Sequence, residues 1–167
     1  MVKEGVLFEI TKENLETGLR GVPVGYCVTS SVDPKKGLAY VGRPIADIYS
    51  WDPLEAIYLL YYGEPGSKEQ IAKFHQEISS RSHCKSETIH AIESLPKAGH
   101  PMDHFAAALY IAGMHELKDD YREDCLNVIA KIPQIAAAVI NHHAGWGKTP
   151  ASKPELGYME NFTHLLQ

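Results

Sequence analysis

The sequence predicts a mainly α, multi-helical chain with one small β-hairpin near its N-terminus. Three observations carry that prediction. Only residues 22–42 alternate in the strand manner; after Arg43-Pro44 the apolar period lengthens from two to about 3.6; and helix-start signals then recur at Asp52-Pro53, Ser67-Lys68-Glu69-Gln70 and His100-Pro101.

The elements follow in chain order. Residues 6–10 predict a short strand or an anchored arm. Residues 22–31 and 38–42, rich in Val, Thr and Tyr, flank Asp33-Pro34-Lys35-Lys36-Gly37, so Pro enters and Gly leaves a hairpin turn. Ile45–Tyr49 predicts a short helix. Asp52 then offers an N-cap with Pro53 at the first helical position, and Leu54, Ile57, Tyr58 and Tyr61 fall on one face. Ser67 and Gln70 form a capping box for a helix whose stripe is Ile71, Phe74 and Ile78. Ser86 or Glu87 to Leu95 reads as a short helix closed by Pro96. Pro101 opens the next, running through Gly113. Asp119-Asp120 starts a longer one, which Pro133 should kink or restart because its ring collides with the carbonyl four residues back. A last helix begins near Tyr158 and is still running at Gln167, with Phe162, Leu165 and Leu166 as an apolar stripe in need of a cover.

Composition narrows the function classes. Of 167 residues, 44% are hydrophobic and 22% charged, which is the balance of a globular protein with a real core. A net charge of −5 with scattered basic residues argues against nucleic acid, and no apolar run reaches the ~20 residues of a membrane helix. The residues after Met1 are charged too soon for a signal peptide. Cys27, Cys84 and Cys125 are odd in number and far apart, which predicts buried thiols in a reducing compartment rather than a disulfide framework. The expected compartment is the cytoplasm, or a mitochondrial matrix after transit-peptide removal.

The histidines do not assemble a site on paper. His100 and His104 have the i, i+4 spacing of metal ligands, but no second ligand cluster lies nearby, so no metal is expected. His100 reads instead as an anchor for its helix start. His142 and His143 point about 100° apart on a helix. His83-Cys84 resembles a nucleophile pair only in sequence, since neighbours seldom face one another. Ala106, Ala107, Ala108, Ala112 and Gly113 let helix axes approach closely, as Ala136-Ala137-Ala138 does within the subunit.

Seven segments in order resemble one family. They are Gly18-Leu19-Arg20-Gly21, the 33–37 turn with its flanks, Tyr40–Ile45, Glu55–Gly63, Leu95-Pro96 with His100-Pro101-Met102, Glu123–Pro133, and Glu160-Asn161-Phe162. Together they are similar to citrate synthase, and Glu123–Pro133 looks most like the eukaryotic-like branch.

The resemblance implies an acyltransferase of the tricarboxylic acid cycle that condenses acetyl-CoA with oxaloacetate to citrate and CoA, without a cofactor other than coenzyme A as substrate carrier. It implies that residues 1–167 are the N-terminal part of the large domain, with 22–42 the hairpin within it. The small domain and the catalytic histidines and aspartate lie in a later half, so no catalytic residue is assigned and the chain alone is expected to be inactive. Arg20 matches an arginine that contacts coenzyme A phosphate. A second such arginine, upstream of Glu123, has no counterpart among Met114–Lys118. The resemblance also implies a homodimer formed through the 101–113 helix and its neighbours. The alternatives are a 2-methylcitrate synthase, or a non-catalytic truncated paralogue acting as a dimerisation module.

Overall fold

The computed structural model describes residues 5–166 except Leu7, Leu19 and Val24. The chain divides into two compact units, Met1–Asp47 and Ile48–Gln167. Among the described residues there are eight α-helices and one three-stranded antiparallel sheet.

In the first unit, α1 is the short turn Asn14–Thr17, which the sequence reading did not anticipate. Its local signal is Thr11-x-x-Asn14: the Thr11 amide and hydroxyl both donate to Asn14 Oδ1, at 2.8 and 2.9 Å. No strand forms among the described residues of 6–10, and Leu7 lies outside them.

The sheet order is β1 (Ser30–Asp33), β2 (Gly37–Tyr40), β3 (Arg43–Pro44). Asp33 builds the first turn, its Oδ1 accepting from the amides of Lys35 and Lys36 at 2.8 and 2.9 Å, with Gly37 leaving it at φ 84°. The expected hairpin is corrected in two ways. The strand of its first arm begins only at Ser30, paired with Tyr40; the Thr29 carbonyl still accepts from Val41 N at 2.9 Å, and Val24 lies outside the described residues. A third strand is also present. Val41 and Gly42 turn the chain at φ 48° and 74°, the two positive angles of a tight hairpin, and pair Tyr40 with Arg43. Valine is a poor signal for such a turn, which is why the sequence did not disclose it.

Helix α2 (Ile45–Ile48) crosses the division, with its first three residues in the first unit. The second unit is helical, and at the start of α3 (Pro53–Tyr62) Asp52 Oδ1 accepts from Leu54 N at 2.9 Å and Glu55 Oε2 from Asp52 N at 3.2 Å. Gly63 closes α3 at φ 78°, its amide bonding the Leu59 carbonyl. Helix α4 (Lys68–Arg81) opens on the predicted box, with Ser67 N donating to Gln70 Oε1 at 2.7 Å and Gln70 N to Ser67 Oγ at 3.3 Å. Helix α5 (Ser86–Glu93) stops two residues before the predicted Leu95, where Ser94 caps it. Helix α6 (Pro101–Glu116) starts as read, with His100 Nδ1 accepting from Met102 N at 3.2 Å, and extends three residues past Gly113.

Helix α7 (Tyr121–Ala144) is the spine. One cluster packs its first half against α3 and α4 through Leu54, Tyr58, Phe74, Ile78, Leu126 and Ala130. The other packs its second half against α5 and α6 through Ile92, Ala108, Ala112, Ile135, Ala138 and Val139.

Pro133 sits between the two clusters, buried, and the helix runs through it without stopping, so the restart allowed by the sequence does not occur. Proline lacks the N–H that would bond the carbonyl of Ile129 four residues back. Tyr158 supplies the missing donor: its hydroxyl donates to Ile129 O at 2.7 Å.

Helix α8 (Tyr158–Leu165) ends before Gln167, which lies outside the described residues, and Leu166 is already extended. The buried Asn141 amide donates to the Leu165 carbonyl at 2.8 Å, satisfying the end of the helix. The expected exposed stripe is corrected as well. Leu165 is fully buried, and Phe162 and Leu166 are half-buried, with α8 lying on α7 and α3.

Candidate functional site

Arg20 lies in the first unit in an exposed turn, flanked by Gly18 at φ 65° and Gly21 at φ 78°. Both glycines are open: a Cβ built on either meets nothing within 4 Å. Among the described residues the Arg20 side chain makes no hydrogen bond or ion pair. Leu19, within the same motif, is outside them. A guanidinium fork held by a permissive backbone, with no partner among the described residues, suits a phosphate oxyanion.

His104 and His142 hold a turn. His104 is buried on α6 with Nε2 2.5 Å from the Pro96 carbonyl, and His142 on α7 places Nε2 2.7 Å from the Leu95 carbonyl. Adjacent carbonyls thus pin the 95–96 turn to two helices. The His143 ring meets His104 edge-on at 5.5 Å. No group of three or more His, Cys, Asp or Glu able to hold a metal ion occurs among the described residues.

The cysteines depart from expectation. Cys84 is buried, and burial pushes its thiol up to about 12, so the His83-Cys84 pair supplies no nucleophile. Cys27 and Cys125 are exposed, which corrects the expectation of buried thiols. Cys27 lies in the stretch before β1, where Thr29 and Ser30 bond its sulfur and lower it to about 7.

A buried polar arrangement joins α5, α6 and α7. Glu116, at the end of α6, accepts from Lys85 N and Thr88 Oγ1 at 2.7 Å each, and Lys131 Nζ lies 3.5 Å from its other oxygen. Burial acts to raise its pKa, but these donors outweigh burial and hold the carboxyl below its ordinary value. All of its partners are internal, so this carboxylate locks three helices together and presents nothing to a substrate. Composition and spacing gave no sign of it, because Glu116 looks like any polar residue near a helix end.

Helix α6 is apolar on both sides. His104, Ala108, Ala112 and Glu116 are buried at steps of four, whereas Met102, Ala106, Tyr110 and Met114 are exposed at the same step. Residues two apart on a helix lie about 200° apart, so these stripes oppose each other. Tyr110 and Met114 are each 78% exposed. The small residues therefore divide: Ala108 belongs to the subunit core, and Ala106 to the open face. A further open groove of about 510 Å³ in the second unit is lined by His75, Ser79, Lys153, Tyr158 and Asn161, among others.

A family model described as "Citrate synthase, C-terminal domain" matches residues 18–167. Citrate synthase 4, mitochondrial, of Arabidopsis thaliana is 30% identical over 96% of this chain, and the peroxisomal citrate synthase of Saccharomyces cerevisiae is 30% identical over 95%. A mitochondrial 2-methylcitrate synthase of Gibberella moniliformis is also 30% identical, over 96%. The chain spans 39%, 40% and 40% of the length of these three relatives. The fold agrees. Citrate synthase from Thermoplasma acidophilum, in ternary complex with carboxymethyl coenzyme A and oxaloacetate, superposes with a TM-score of 0.75 at 22% identity, over 86% of this chain and 40% of that one. The enzyme from Thermotoga maritima gives 0.75 at 23% identity, over 90% and 41%. The chain belongs to the citrate synthase family.

Proposed function

We propose that the complete protein is a citrate synthase, condensing acetyl-CoA with oxaloacetate to give citrate and CoA in the tricarboxylic acid cycle. The observation that carries this reading is the family match over residues 18–167. The condensation needs a carboxylate base within about 3 Å of the acyl methyl, and donors aimed at the oxygens where charge develops. We assign this chemistry to a further portion of the polypeptide, on the support that residues 1–167 span 39% and 40% of the length of two of the relatives. Residues 1–167 then act as the N-terminal part of the large domain. The support is the order of the motifs, although the matching family model is described as a C-terminal domain.

Two contributions are assigned to this chain. Arg20 contacts a phosphate of coenzyme A, supported by its exposure and by the permissive glycines beside it. The Met102–Ala106–Tyr110–Met114 face of α6 pairs two copies into a homodimer, supported by a helix apolar on both sides, which is rarely left open to water. No metal or other cofactor is called for. Of the two compartments expected, the mitochondrial matrix is the one supported by relatives named mitochondrial, beside one named peroxisomal.

The second reading, a 2-methylcitrate synthase using propionyl-CoA, is favoured by relatives of that name as similar as the citrate synthases. Mass spectrometry of the products formed by the complete protein from oxaloacetate with each acyl-CoA separates the two. Citrate as the preferred product supports the first reading and 2-methylcitrate the second. Absence of both leaves the non-catalytic dimerisation module.

A further inference from the structure

We draw no further inference here: the strongest candidate, the His104–His142–His143 side-chain cluster between α6 and α7 with its buried, unpartnered His104 Nδ1, carries nothing because Nε2 of both His104 and His142 is spent on the Pro96 and Leu95 carbonyls and no metal-holding group of three ligands converges there among the described residues.

Discussion

Tyr158→Phe should destabilise the helical unit although it removes a single oxygen. That oxygen donates to Ile129 O at 2.7 Å, and Pro133 has no amide with which to replace it. A partly buried carbonyl left without a protein donor costs about 1–3 kcal/mol, or roughly 4–8 °C of melting temperature at the middle of that range. The reasoning is tested by a double-mutant cycle. Pro133→Ala restores an N–H four residues beyond Ile129, so Tyr158→Phe in that background should cost no more than about 0.5 kcal/mol, a coupling of about 1.5 kcal/mol at the middle of the range. Urea denaturation followed by helical circular dichroism gives all four values. Equal costs of Tyr158→Phe in the two backgrounds would refute the compensation. The same hydroxyl sets a pH limit, because burial raises it to about 12 from an ordinary 10. Its contribution is complete below pH 10 and is lost between 10 and 12, as the unfolded chain ionises first.

Glu116→Gln should lower stability at pH 7 by about 1–3 kcal/mol and flatten the acid limb of the stability curve. The folded carboxyl lies below its ordinary 4.5, so its contribution is present above 4.5 and disappears as pH falls through the folded value. Denaturation at pH 7 and pH 3.5 checks this, and an acid slope like that of the unchanged protein contradicts it. Tyr110→Glu or Ala106→Glu should leave the helical fold intact and convert a dimer to monomers in light scattering; dimers that persist would remove α6 from the interface. A charge at Ala108 enters the core and tests folding. Arg20→Ala in the complete enzyme should raise KM for acetyl-CoA about 10-fold, or ~1.4 kcal/mol, and an unchanged KM would take Arg20 out of the site.

Local chemistry made most helix starts legible. Asp52, Ser67 and His100 each supply a cap whose partner lies two or three residues away, so a short window of sequence contains the whole interaction. The places where the sequence misled depend on distant partners. Pro133 reads as a kink or a restart until Tyr158, 25 positions on, is seen to satisfy the freed carbonyl of a helix that continues. Glu116 becomes a lock only when α5 and α7 bring Lys85, Thr88 and Lys131 to it. The alanines of α6 signalled close packing but not which partner, because periodicity alone does not distinguish a face toward α7 from a face toward a second copy. Arg20 was identifiable only through its likeness to a known motif, since an arginine in a glycine turn has no distinctive spacing of its own.

The most direct test compares the 167-residue chain with the same protein continued to the length of its relatives, measuring release of the CoA thiol from acetyl-CoA. The account predicts oxaloacetate-dependent release by the longer protein and none by residues 1–167 alone. Turnover by the short chain would contradict the assignment of the chemistry to a further portion, and silence from the longer protein with acetyl-CoA and propionyl-CoA alike would contradict the activity itself.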